Sequence, residues 1–504
     1  MRKLIVGLLV AGASASALNF NEWLAVNGAN KAVYLRQKED GHRWTWDILQ
    51  TEVWAWRFAV GAEVEFNHPR RAPFVGADDI EGNDLVQRYA RYRDNTFDVR
   101  AGTFDKTLGK GLVLRSYLDR DYDVYNLLDG ATASATGDFG GRQWGDVTAL
   151  WGRNDRRDED LQQEYDKVMG GAVTFRPVDF AYLMGEGAEA DVENFTTHEL
   201  VDEKLVGGGV GGGWRYFDLY AEYAVRQGFN AVTNEDDTGR GLYGVLNGYL
   251  PRSSLSVEYK RYADLAYPYS NPPPASVDNR MITGGQSPSR GEWGYYVRAS
   301  GNPWDPVRVI GGYSYADDKV GEVTTKGAEI GEYMGSVRYD TPLGVVVEPG
   351  FESLTDVTYS VVGKAGEKRD IPSLNASWGL GDDHSFSVEG ERESRKNYTV
   401  ARTYIDNRFL TAYNYSSWLG VTVAYEDSDE RVREVVELGP PPVYRYKHNW
   451  LWGEVRLTWF HHIFQNHVLT LGYGSRRGGL VCSSGMCVRE SPFSGAKVAL
   501  ESSF

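Results

Sequence analysis

The chain alternates apolar and polar side chains over runs of about ten residues, a period of two that belongs to a β-strand with one apolar and one wet face. Between Arg57 and Phe66, the residues Phe58, Val60, Ala62, Val64 and Phe66 share one side, opposite Glu63 and Glu65. Phe217, Leu219, Ala221, Tyr223 and Val225 oppose Asp218, Glu222 and Arg226. Leu255, Val257 and Tyr259 oppose Glu258 and Lys260, and Leu451, Gly453, Val455, Leu457 and Trp459 oppose Glu454 and Arg456. A soluble sandwich alternates in the same way. Runs of about ten residues, however, match a tilted strand that crosses a bilayer.

The first residues read as a secretory signal over 1–17. Arg2 and Lys3 are its charged start, Leu4 to Ala11 its apolar core, and Ala13-Ser14-Ala15 or Ala15-Ser16-Ala17 its small-residue cleavage site. That core is too short to span a bilayer as a helix, which takes about 20 residues. No cysteine lies near the cleavage site, so a lipid anchor is not expected. The mature chain, 18–504, has no long apolar run and is rich in Gly (58), Tyr (32) and Trp (15). An exported chain of this kind suits a transmembrane barrel, in which only alternate residues need be apolar. The net charge of −16 argues against nucleic acid as a partner, since phosphate binding needs basic clusters.

Connections come in two lengths. Tyr92–Thr96, Arg176–Asp179, Leu250–Ser253, Asn302–Pro306 and Asp340–Leu343 read as short turns. Asn67–Asn83, Asn154–Asp166, Glu186–Glu203, Gln227–Arg240 and Ala263–Gly291 read as long polar loops. Short turns on the periplasmic side and long loops outside are the habit of outer-membrane barrels, and the count reaches roughly 24 antiparallel strands, an even number. Strand pattern is faintest over Asp47–Trp56, Asp84–Tyr92 and Tyr359–Leu380. It begins soon after the mature start, leaving no room there for a plug domain. The proline-rich loop Ala263–Gly291 is expected to be irregular and exposed.

One segment breaks the pattern. Gly102–Gly130 has neither strand alternation nor a helical period, yet carries too many leucines, valines and tyrosines for a solvated linker. A long irregular run within a regular fold is usually functional or disordered. The segment is expected to fold into the lumen and to set its narrowest point, through Lys110, Arg115, Tyr117, Asp119, Arg120, Asp121 and Tyr122. Arg115 and Arg120 are expected to pair with lumen carboxylates such as Glu63 or Glu65. A phosphate-binding loop is excluded, because Gly109-Lys110 is followed by Gly111 rather than Ser or Thr.

The final stretch alternates Ala496, Val498 and Leu500 up to a terminal aromatic, Phe504. Cys482 and Cys487, the only cysteines, have four residues between them, Gly485 included, and suit a disulfide across a hairpin end in an oxidising compartment. This hairpin should be extracellular. Together, GTFDKTLGKGLVLRSYLDR, GGLVCSSGMCV and the terminal Phe resemble a poorly characterised, loosely porin-like family of Gram-negative outer-membrane β-barrel proteins. The resemblance implies the fold and an integral outer-membrane location, with no cofactor and no catalytic residue to carry over. A terminal Phe closing an alternating strand resembles the signal read by barrel-assembly machinery.

The expected function is a passive channel for small hydrophilic solutes. Its lumen charges would be Glu63, Glu65, Arg100, Glu222, Arg226, Glu258, Lys260, Glu454 and Arg456, of both signs, so that any ion preference is modest. These charges can equally pair across strands and add only rigidity. The alternative is a plugged barrel serving an export or adhesion system. An enzyme is not expected. Ser116 lies in no nucleophile elbow, and there is no His-Glu-x-x-His run; His461, His462 and His467 flank an expected periplasmic turn and read as neutral turn histidines, with a metal site there as the less favoured alternative. Self-association is left open.

Overall fold

The computed structural model describes residues 24–37, 43–68, 82–119, 124–154, 166–193, 200–230, 235–265, 269–270, 273, 291–317, 328–360, 363–381, 383–437, 443–460, 466–477, 479–483, 486–490 and 493–503. The expected signal 1–17 and Phe504 lie outside them. Twenty-four strands form one antiparallel sheet in which each pairs with its chain neighbour. The first strand, Leu24–Gln37, bonds both to Arg43–Ala55 and to the last, Phe493–Ser503, so the sheet closes on itself. Closure leaves no open edge along the wall, the condition for a sheet to cross a bilayer.

The alternation read from the sequence decides which face is which. On the strand Phe217–Asn230, Phe217, Leu219 and Tyr223 are exposed on the outer face, while Glu222, Ala224 and Arg226 are buried on the inner one. Phe58, Val60 and Phe66 are likewise outside, with Glu63 and Glu65 inside. Exposed aromatics gather beside the short turns: Trp56, Trp144, Trp214, Tyr216, Trp304, Trp418 and Trp459. They form a belt of the kind that sits at a membrane–water interface. Guanidinium groups cover three of these rings, Arg57 over Trp56, Arg142 over Trp144 and Arg215 over Tyr216.

The faint stretches are strands: Arg43–Ala55, Gly82–Arg93 and Gly363–Leu380. Two expected loops are not loops over most of their length. Strand Ala181–Glu193 runs through most of the first half of Glu186–Glu203 and Leu200–Trp214 begins before its end. Phe217–Asn230 and Glu235–Leu250 leave only 231–234 between them, well inside Gln227–Arg240. The ladder continues beyond the apolar band: Ala188, Ala190 and Val192 turn into the core beneath the insert while Glu189 on the other face pairs with Lys204, so polar composition there no longer marks a loop.

At the turn after Gly82–Arg93, Asp94 is caged. Its carboxylate accepts the Tyr92 hydroxyl at 2.7 Å and the backbone N–H groups of Phe97 and Thr96 at 2.7 and 2.8 Å. The Arg57 guanidinium stands 3.2 Å away.

A segment seated on the inner wall

The chain leaves the wall after Phe104. Gly102 pairs with Gly130 across the ladder between Phe97–Phe104 and Leu128–Phe139, and Phe104 with Leu128 is the last pair. Gly102 has φ of 104°, and any Cβ there would strike the carbonyl of Arg88. Only glycine adopts this geometry without strain. Where an irregular run is expected, the described residues of 105–127 form two short antiparallel pairs. Lys106–Leu108 pairs with Leu114–Ser116, and Leu118–Asp119 with Val124–Tyr125.

Apolar packing fixes the first hairpin to the barrel. Leu112, Val113 and Leu114 are 0% exposed and form one core with Leu108 and the wall residues Leu150, Val168, Ala190, Leu205, Ala224 and Tyr243. Burying a leucine or valine side chain fully contributes about 1.5–3 kcal/mol. The wall is shaped for this contact: a Cβ on Gly207 would lie 2.7 Å from the Val113 methyl. The tip is held by polar bonds. The Lys110 N–H donates to Oε2 of Glu222 at 2.8 Å, and the Tyr220 hydroxyl donates to the same oxygen. Gly109, with φ of 51°, lies so close to that carboxylate that a Cβ would come within 2.5 Å of Oε2.

The described residues of the proline-rich loop also turn inward, against expectation. Leu265 and Tyr269 are fully buried in the same core. The Arg115 N–H donates to the Tyr269 carbonyl at 2.6 Å, and the Tyr269 hydroxyl to Asp166 at 2.7 Å. Leu265 and Tyr269 follow the same gain from burial as the segment they back.

Of the residues expected at the constriction, Lys110 is exposed with its ammonium 5.5 Å from the Tyr220 ring, and Arg115 lies half-buried over Tyr117 at 4.4 Å. Arg115 does not pair with Glu63 or Glu65. Glu63 accepts the Gln50 amide and Glu65 the Trp46 indole N–H at 2.9 Å. The segment's core leans on strands Arg142–Asn154 through Ser253–Ala263, a sector of the ring that does not include strand Phe58–His68. Asp119 is described in its backbone, paired with Val124, whereas Arg120, Asp121 and Tyr122 lie outside the described residues.

The lumen charges are largely paired. Arg226 grips Glu203 with two bonds of 2.7 Å, a bidentate fork that orders both groups. Lys260 lies 3.1 Å from Glu258, and Arg100 stacks 3.7 Å from the Tyr89 ring with Asp105 at 3.8 Å. Glu454 faces Arg476 and Lys497, and Arg456 is exposed on the inner face. Sequence reasoning missed a denser group, Arg395, Asp406, Arg408, Arg476 and Arg477. The signal was available in alternating charges, since Arg408 stands directly between Glu391 and Glu426 across the ladders.

Cys482 and Cys487 are direct partners across the two-stranded hairpin Gly479–Ser483 and Met486–Glu490, which connects strands at the long-loop rim.

Comparisons with known proteins agree on architecture. No curated protein matches the chain. Among solved structures, an Escherichia coli P pilus tip assembly intermediate, PapC-PapD-PapK-PapG, aligns with a TM-score of 0.55 at 10% identity, over 97% of this chain and 62% of that one. The siderophore receptor PirA from Pseudomonas aeruginosa aligns at 0.49 and 10% identity, over 95% and 80%. OccK11 (OpdR) of Pseudomonas aeruginosa aligns at 0.37 and 13% identity, over 72% and 96%. At such identities the likeness is one of fold alone, that of an outer-membrane β-barrel. Over residues 19–177 the chain is similar to a family of unknown function, DUF6029.

Proposed function

We propose that the protein is an integral outer-membrane channel for the passive passage of small hydrophilic solutes, narrowed by residues 105–127. The observation that carries this reading is the one-sided seat of the segment. Its core packs on strands from Arg142–Asn154 to Ser253–Ala263, and a second, small apolar cluster of Ala316, Ile330 and Leu354 lies beyond it, while the wall from Gly363–Leu380 to Phe493–Ser503 keeps a charged lining around open space. A ring of 24 strands is too wide for wall side chains alone to fill, and a charged lining favours water. The inward turn of Leu265 and Tyr269 thickens the insert and favours the second reading, a plugged barrel acting as a scaffold. Conductance in planar bilayers separates the two. Discrete steps from the refolded barrel support the channel; a correctly inserted barrel that gives none supports the plug.

The same reading covers export through the signal 1–17, delivery by barrel-assembly machinery through Phe504, and a disulfide between Cys482 and Cys487. It takes the barrel as non-catalytic. His467 is buried with Nδ1 2.8 Å from the Ser502 hydroxyl and its ring stacked on Trp459, an arrangement that stabilises the periplasmic rim. Self-association is open to measurement.

A further inference from the structure

Across the ring from the seat of the segment, the inner wall holds a cavity of about 600 Å³. Its strands run from Gly363–Leu380 to Phe493–Ser503, separated from the seat by several strands on either side. Charge is arranged there in two layers. In the deeper one, Arg477 reaches Asp406 and Glu430 at 3.0 Å each, and Arg395 reaches Glu367 at 3.3 Å and also bonds Glu430. These two arginine side chains are 14% and 12% exposed and close the wall.

The shallower layer is held loosely. Arg408 lies 3.8 Å from Glu391, Arg476 3.7 Å from Glu454, and Lys497 4.0 Å from Glu454. Arg408, 38% exposed, can turn from Glu391 toward a solute, while Arg476 and Lys497, 29% and 28% exposed, line the approach. Long, water-accessible ion pairs are weak and exchange readily.

We propose that this cavity binds a small zwitterionic solute of the amino-acid or short-peptide type. Its carboxylate sits on the Arg408 and Arg476 guanidiniums and its ammonium on Glu391 and Glu426. Guanidinium forks match a carboxylate in two bonds. The ladder places Arg408 between Glu391 and Glu426, so both poles of the solute find partners within one row. A plain anion would meet those acids and Glu454, and a plain cation would meet the arginines. A neutral sugar would need an open aromatic face, yet Trp450 and Trp452 are 2% and 5% exposed. Arg477 and Arg476 lie over their rings at 5.5 and 4.2 Å. The inference rests on reading the lumen as a solute path.

Isothermal titration of the refolded full-length barrel in detergent tests it, with L-alanyl-L-alanine, acetate, ethylammonium and glucose as probes. The dipeptide is expected to bind saturably, with acetate, ethylammonium and glucose weaker by about tenfold or more. Arg408→Gln should weaken the dipeptide by about tenfold, and Arg408→Lys by less. Should Arg408→Gln fail to fold, Glu426→Gln must weaken the dipeptide to a similar degree. Acetate or glucose binding as well as the dipeptide, or no saturable binding, overturns the proposal. Titration needs no open path: binding without conductance keeps the cavity and removes the channel, and conductance without binding does the reverse.

Discussion

The backbone N–H of Lys110 donates to Oε2 of Glu222 at 2.8 Å, joining residues 112 apart in the chain. Glu222 is 1% exposed and also takes the Tyr220 hydroxyl, so one wall carboxylate anchors the tip of the inserted segment. Hydrogen bonds to a charged group contribute about 1.5–3 kcal/mol each. Glu222→Ala should therefore free the tip while the ladders on either side of the strand persist. Expected is a noisier, larger single-channel current from a barrel that still resists heat on gels. A current identical to that of the parent would show that the anchor does not control the path.

The apolar half of the seat can be tested separately. Leu112 and Leu114 are fully buried between segment and wall. Truncating a buried leucine to alanine costs about 2–5 kcal/mol. Leu112→Ala with Leu114→Ala should expose the segment to added protease, with cleavage confined to residues 105–127. Protection equal to that of the parent would mean that the polar anchor alone holds it.

How far the sequence revealed this differs between wall and insert. The wall was legible because period-two alternation is local: Phe217, Leu219 and Tyr223 faced out and Glu222 and Arg226 in, as their positions require. Strand ends were not. Within Glu186–Glu203 the strands stay paired, their inner face reduced to small apolar residues such as Ala188 and Ala190 beneath the insert and their outer face polar, and polarity reads as loop. The insert's partners were hidden for another reason. Gly207 leaves space for Val113 and Glu222 caps Gly109, contacts between distant residues that no local pattern encodes. Arg115 was assigned to Glu63 or Glu65 by charge alone, and charge does not say which sector of the ring the segment leans on.

The Asp94 turn predicts a pH dependence. The Tyr92 hydroxyl, the Phe97 and Thr96 N–H groups and Arg57 hold the Asp94 carboxyl down at about 2, below the ordinary 3.8. A lowered carboxyl stabilises the turn above its unfolded value and loses that effect as the pH falls toward the folded one. Amide exchange at Thr96 and Phe97 should quicken as the pH drops from about 4 to about 2, beyond the intrinsic trend. Asp94→Asn should abolish the excess. An excess that persists in the variant would assign it to another group.

Cys482 and Cys487 face each other in a hairpin of two short strands. Protein isolated from the envelope should carry neither thiol free to alkylation until reduced. The closed loop is short, so its loss should cost at most about 2–3 kcal/mol and leave the barrel assembled. Two alkylated cysteines without reduction would refute the pairing.

The most direct measurement compares the parent with a barrel in which Asp105–Leu127 is replaced by Asn-Gly. Phe104 and Leu128 are already ladder partners, and that dipeptide closes a two-residue hairpin. Both proteins are refolded, checked for heat-resistant migration and placed in planar bilayers. A channel narrowed by its insert predicts discrete steps from the parent and steps several-fold larger from the variant, roughly as open cross-section grows. Equal steps from the two, or a silent variant that is correctly inserted, would contradict it.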